Sequence, residues 1–364
     1  KDSASATSEN TTNFTLVEDG INGKPAWVLG VPDDKAEDAV DTVTITNKRT
    51  ATNATLKVSK EYLVNGKEAS IPADKFTVAL WKGDPRSEQA QRLSTKTIGV
   101  TGRVEFTKDD TDELSFTSPG DDNVFYITET LPVVDGKEQN PYQGITYDTA
   151  IYKATVDASW TDGEGLSNKV TYEKLGTDDQ WVTLESSDDV KFTNTYEATG
   201  SWTPEGTKTL TGRDMKENEQ FTFYVKKNDQ KETIVSRGTA QGGKNGENVT
   251  INFDPISYNL NDVGEHIYTI VEYIPTGAQT TSDGKKVLDG VIYDQISYQV
   301  TVTVTDNGDG TLTAKPSYPV SKNQVSFTNE YVPAPTKYAP AVSKTLTGHE
   351  LPDAKKNFTF TLTA

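Results

Sequence analysis

Self-similarity is the feature that most constrains this chain. Three strings end alike: Val43-Thr-Ile-Thr-Asn47, Val190-Lys-Phe-Thr-Asn194-Thr-Tyr196 and Val325-Ser-Phe-Thr-Asn329-Glu-Tyr331. A second string follows each asparagine, carrying a lysine 13 to 15 residues after it. These are Leu56-Lys-Val58-Ser-Lys60, Gly206-Thr-Lys208-Thr-Leu210-Thr-Gly212 and Val342-Ser-Lys344-Thr-Leu346-Thr-Gly348. A third string comes next: Phe76-Thr-Val78-Ala-Leu80, Phe221-Thr-Phe223-Tyr-Val225 and Phe358-Thr-Phe360-Thr-Leu362. Two more occur twice. Phe125-Tyr-Ile127-Thr-Glu129 matches Tyr268-Thr-Ile270-Val-Glu272, and Gly144-Ile-Thr-Tyr147-Asp148 matches Gly290-Val-Ile-Tyr293-Asp294. The period, 135 to 148 residues, is the size of one domain.

The phase of the repeats divides the 364 residues. Residues 1–49 read as the C-terminal part of a preceding repeat, 50–198 and 199–333 as two complete units, and 334–364 as the first strands of a following one. The expectation is a fragment of a longer tandem array. Pro333, Pro335 and Pro340 stiffen the stretch after the second unit. Within a unit the apolar residues alternate, as in Val300-Thr-Val302-Thr-Val304-Thr, which predicts strands. Asp306-Asn-Gly-Asp-Gly310 predicts a hairpin turn rather than a calcium loop. Ser317 stands where an EF-hand needs its glutamate. Residues 236–247 read as a glycine-rich loop, 85–92 as at most a helical turn, and His266 as a turn residue. Short strands with turn punctuation predict an all-β chain of tandem immunoglobulin-like β-sandwich domains.

Composition removes most chemical classes. With no cysteine there is no disulfide framework and no thiolate metal site, and two histidines 83 residues apart make no cluster. No metal or cofactor is expected. Thirty-six Lys and Arg against 54 Asp and Glu give a net charge of −18, a field that repels nucleic acid and anionic membrane. No apolar run approaches the roughly 18 residues of a membrane helix. No signal peptide or wall-sorting sequence is visible, so export and anchoring are expected to depend on segments outside this sequence. No Ser–His–Asp set or phosphate loop is present.

Strand parity singles out three residue types. Successive side chains on a strand face opposite ways. Lys60 shares its face with Leu56, Val58 and Tyr62; Lys208 shares one with Leu210, and Lys344 with Val342 and Leu346. Asn194 aligns with Phe192 and Tyr196, Asn329 with Val325, Phe327 and Tyr331, and Asn47 with Ile45. Glu129 aligns with Phe125 and Ile127, and Glu272 with Tyr268 and Ile270. Each complete unit therefore aims one Lys, one Glu and one Asn at its core. Isolated charges there are costly. Desolvation lowers a lysine pKa and raises a glutamate pKa, favouring neutral amine beside protonated acid. A neutral amine is a nucleophile, and a protonated carboxyl can polarise the asparagine carbonyl and pass protons to leaving ammonia. The outcome would be a Lys–Asn side-chain amide made once, without turnover. The alternative is a buried, hydrogen-bonded polar cluster with no chemistry.

The Val-Ser-Lys344-Thr-Leu-Thr-Gly, Tyr-Thr-Ile-Val-Glu272 and Ser-Phe-Thr-Asn329-Glu-Tyr strings resemble the pilin isopeptide linkage domain of Gram-positive bacteria, of the streptococcal major-pilin type. That family is related to the collagen-adhesin B-type repeats. The resemblance implies a cross-link between Lys60 and Asn194 catalysed by Glu129, and one between Lys208 and Asn329 catalysed by Glu272. It leaves Asn47 and Lys344 as unpaired partners in incomplete repeats. It implies a non-enzymatic stalk or fibre of an adhesin or pilus-like protein, extracellular and anchored to the cell wall, whose partners are adjacent repeats. The alternative is an adhesive module that binds a host or matrix ligand. No Tyr-Pro-Lys pilin motif is evident, which favours repeats within one long surface protein.

Overall fold

The computed structural model describes residues 14–21, 24–29, 51–161, 165–186, 190–319, 323–335, 337–345, 347–348, 360–361 and 363. Among the described residues the chain is all-β, with two short 3-10 turns. It divides into two compact units. The first comprises residues up to Thr199 with 259–262 and 306–312, and the second comprises the remainder from Gly200.

In the first unit six antiparallel strands form one sheet, in the order Trp181–Thr183, Gly165–Leu175, Ile151–Thr161, Gly120–Glu129, Phe76–Lys82 and Gln91–Ile98. The opposing sheet is built on Leu56–Val64. That strand pairs in parallel with Lys191–Tyr196, which in turn carries Ile145–Thr146 on its other side. Arg103–Phe106 and Lys67–Glu68 complete it as antiparallel partners of Leu56–Val64. The period-two pattern is why the sheets stack. Along Leu56–Val64, Leu56, Val58, Lys60 and Tyr62 are buried and the residues between them are not. The inner faces meet at Phe76, Leu80, Phe125, Ile127, Val156 and Phe192. Each such side chain contributes roughly 1.5–3 kcal/mol by leaving water.

The second unit repeats the plan. One sheet runs Asn252–Phe253, Ile234–Gln241, Gln220–Lys227, Gly264–Glu272, Ser297–Asp306 and Leu312–Ser317. The other is centred on Gly206–Thr211 and Val325–Tyr331, again parallel, flanked by Asn248–Thr250 and Val291–Tyr293. In each unit a strand near its start and one near its end, Leu56–Val64 with Lys191–Tyr196 and Gly206–Thr211 with Val325–Tyr331, lie side by side, a sheet ladder between residues more than a hundred positions apart.

Three local expectations change. Residues 236–241 are strand, not loop. Ser236 and Ala240 are buried on one face, and a Cβ on Gly238 would lie 2.5 Å from the Phe253 ring, so the small residues make room for an aromatic. The glycine-rich turn is confined to 242–247. His266 lies within the Gly264–Glu272 strand, its ring 5.6 Å from Tyr258. Residues 85–90 form turns closed by Ser87 N–H to Asp84 and Ala90 N–H to Ser87, and Gln91 already begins a strand. The 306–311 segment is the expected hairpin turn, with Asn307 N–H donating to the Thr311 carbonyl.

Candidate functional site

In each unit one Lys, one Glu and one Asn meet between the two sheets. Lys60 stands on the lysine strand Leu56–Val64, Glu129 ends the acid strand Gly120–Glu129 of the facing sheet, and Asn194 lies in the asparagine strand Lys191–Tyr196. The parallel register puts Lys60 opposite Phe192 and Asn194 opposite Tyr62. The second unit has the same two-residue stagger, Lys208 opposite Phe327 and Asn329 opposite Leu210.

Contacts are close and repeated. Lys60 Nζ donates to both Glu129 oxygens at 2.8 Å, and Asn194 Nδ2 donates to Glu129 Oε1 at 2.8 Å. Lys208 Nζ donates to Glu272 Oε2 and Asn329 Nδ2 to Glu272 Oε1, each at 2.8 Å. The Lys and Glu side chains of both clusters are 0% exposed, as are Asn194 and Asn329. Each ammonium position lies over an aromatic ring, Lys60 Nζ 4.7 Å from Phe76 and Lys208 Nζ 4.8 Å from Phe221.

Burial sets the protonation chemistry. It lowers Lys60 to about 8 against the opposing pull of Glu129, and lowers Lys208 in the same way. It raises Glu129 and Glu272 although each has a lysine and an asparagine as hydrogen-bond partners. Both directions favour a neutral amine beside a neutral acid, the state with nucleophilic nitrogen.

The structure turns the asparagine the other way from the sequence expectation. The acid meets the amide nitrogen, not the carbonyl oxygen. Asn194 Oδ1 accepts instead from the Asp148 main-chain N–H at 2.8 Å, and Asn329 Oδ1 from the Asp294 N–H at 2.8 Å. A main-chain N–H can only donate, so the amide oxygen must face it and Nδ2 must face the carboxyl. The acid thus touches both the lysine nitrogen and the asparagine amide nitrogen. Asp148 and Asp294 belong to the recurring Gly-x-x-Tyr-Asp string, to which sequence reasoning assigned no role. Its repetition in both units was the available signal.

Asn47 lies outside the described residues. Lys344 is exposed, whereas parity aimed it at a core. Among the described residues no strand pairs with 337–345, and only such pairing buries Lys60 and Lys208. Trp202 is buried and lies 5.6 Å from the Tyr268 ring, while Trp160 is half exposed on its strand. No group of three or more metal-ligating side chains occurs among the described residues, and no helix there is long and apolar enough to cross a membrane.

A family model described as FctA, Spy0128-like isopeptide containing domain, matches residues 42–197 and 204–332. No curated protein matches the chain. Among solved structures, the major pilin from Streptococcus pyogenes is similar at 17% identity and a TM-score of 0.24, covering 77% of this chain and 99% of that one. The T3.2 major pilin from Streptococcus pyogenes serotype GAS13637 matches at 18% identity and a TM-score of 0.23, over 77% of this chain and 98% of that chain. The Corynebacterium diphtheriae major pilin SpaA matches at 10% identity and a TM-score of 0.21, over 78% and 100%.

Proposed function

The chain belongs to the FctA family of Spy0128-like isopeptide containing domains, and from that premise we propose that each unit locks itself with one Lys–Asn isopeptide bond. Lys60 joins Asn194 and Lys208 joins Asn329, with Glu129 and Glu272 as the respective acids. The observation that carries this is the recurrence of the cluster in both units, in each a Lys and an Asn side chain without exposure on one buried carboxyl. A polar triad retained once could be a packing accident. Retained twice with the same stagger, the same Lys–Glu–Asn partners and an aromatic floor, it fits a reaction.

The reaction needs no cofactor. Neutral amine and carboxamide become a secondary amide and ammonia, and the carboxyl is returned unchanged. Fixed packing replaces a second-order encounter, an effect worth about 7–11 kcal/mol of barrier in favourable cases. Because the product stays in place, each site acts once, and the protein is not an enzyme. Such a unit suits the structural part of an extracellular stalk or fibre on a Gram-positive cell surface, with neighbouring repeats as its partners.

Intact mass of the denatured chain tests the reading. Two bonds release two ammonia molecules, a deficit of about 34 Da by condensation arithmetic. Glu129→Ala and Glu272→Ala should each restore about 17 Da. A wild-type chain at its full unmodified mass would leave only a buried polar cluster and sink the proposal.

A further inference from the structure

We propose that Asp148 and Asp294 are positioning residues for the cross-linking step, each fixing its own main-chain N–H as the donor that receives negative charge on the asparagine oxygen. The inference rests on the isopeptide reading and assigns the part of the site that the Lys, Glu and Asn leave undone.

The two nitrogens and the acid account for proton movement but not for charge. When the Lys60 Nζ lone pair forms a bond to Asn194 Cγ, the carbonyl π pair moves onto Oδ1. When that pair re-forms the carbonyl, the Cγ–Nδ2 bond breaks and Nδ2 departs as ammonia. One proton leaves Nζ for the Glu129 carboxyl, which gives one to Nδ2, so the acid ends as it began. Nothing in this relay touches Oδ1. The Asp148 N–H does, at 2.8 Å, and the Asp294 N–H meets Asn329 Oδ1 at the same distance. That contact is to the ground-state oxygen, so the same N–H is already in place to follow the oxygen as charge develops on it, in a site closed to water.

The aspartate side chains explain why these N–H groups are aimed. Asp148 Oδ1 accepts from the Ala150 N–H, and Oδ2 from the N–H of Thr193, the residue before the reactive asparagine. Asp294 does the same with Ile296 and with Thr328, again the residue before its asparagine. One carboxylate oxygen folds the turn on itself, and the other straps it to the asparagine strand. The rest of the string serves the same placement. Gly144 and Gly290 adopt φ of +74° and +79°, and a Cβ would lie 2.5 Å from the Glu197 carbonyl oxygen or 2.9 Å from that of Val332. Tyr147 stacks edge-on at 5.8 Å against Phe76, the ring beneath Lys60, and Tyr293 lies 6.2 Å from Phe221, the ring beneath Lys208. The motif therefore ties the oxygen donor to the floor of the amine site.

The test follows each bond in the full chain. Pulse-labelled protein from cell-free translation is quenched in acid denaturant at intervals, and digestion assigns the ammonia loss to either unit. Asp148→Ala should lower the first-order rate constant of unit one at least about tenfold, against the 10²–10³ seen when an oxyanion donor is removed outright. The endpoint should still be approached, and unit two in the same molecule should keep its rate. Asp148→Asn, retaining one accepting oxygen, should fall between. Asp294→Ala should mirror the result in unit two. An unchanged rate constant with fewer reacting chains, the remainder protease-sensitive in unit one, would assign Asp148 to folding and overturn the inference. If Asp148→Ala leaves unit one unfolded, the Asp148→Asn chain decides, and a wild-type rate constant in a protease-resistant unit overturns it. A wild-type chain about 34 Da light whose Asp148→Ala form reacts at the wild-type rate sinks this inference alone. A wild-type chain at full mass sinks the cross-link first.

Discussion

Lys60 and Lys208 lose more by leaving water than a single carboxyl returns, and on the proposed reading this imbalance is what would make them nucleophiles rather than merely paired. The reacting state places the pair's shared proton on the acid. At low pH the amine is protonated as well, and at high pH the acid has lost its proton. The rate of ammonia loss should therefore be bell-shaped in pH, falling where the pair gains a second proton and where it loses its last. Both limbs belong to the coupled pair. A monotonic rise to pH 10, followed by quenched mass measurements, would remove the acid from the step. The same imbalance predicts a stability effect without chemistry. Neither Lys208→Met nor the double variant Lys208→Met/Glu272→Leu can cross-link, so their difference reports the stranded carboxyl. The double variant should be the more stable by about 1–4 kcal/mol in denaturant unfolding. Equal midpoints would mean that water or relaxation solvates Glu272.

At the scale of strands and turns, parity carried the sequence reading far. Lys60, Glu129 and Asn194 share strand faces with Leu56, Ile127 and Phe192, and a period of two puts all of them on inner faces whatever the sheet order. Which strands become neighbours was not legible, because register is a long-range property. The parallel ladder of Leu56–Val64 on Lys191–Tyr196 joins segments about a domain apart in sequence. The roles of Asp148 and Asp294 were missed for a related reason: they lie in turns, where period two says nothing about direction. The rotation of the Asn194 amide was read backwards, since it depends on a main-chain donor that no side-chain pattern displays. These turns carry their own prediction. Gly290→Ala adds a Cβ 2.9 Å from the Tyr331 ring and the Val332 carbonyl oxygen at φ +79°, whereas Gly284→Ala, at φ +83°, meets nothing within 4 Å. The second change should cost only the left-handed strain, about 1–2 kcal/mol. The first should cost more and also slow the unit-two bond. Equal losses in melting, with equal bond rates, would mean the turn has room to shift.

For the molecule under load, the decisive fact is that each unit begins its load path at the lysine strand and ends it at the adjacent, parallel asparagine strand. Tension on the chain shears this pair, loading the whole ladder at once. A covalent bond across it carries the force past everything between. The proposed bonds would bridge residues 60–194 and 208–329, loops for which a loop-entropy treatment borrowed from disulfides gives about 5 kcal/mol each through the unfolded state. Stretching the wild-type chain from residues before Lys60 and after Asn329 should therefore release neither segment. In Glu272→Ala, one new event should appear in the force trace. Its length should approach the extended reach of the 121-residue interval from Lys208 to Asn329 (329 − 208), roughly 400 Å at about 3.3–3.6 Å per residue. Glu129→Ala should release a longer interval, 134 residues (194 − 60), so the two events are distinguishable by length alone. If the wild-type trace already contains either event, the corresponding unit is held only by its ladder. The buried cluster would then stabilise that unit without making it inextensible.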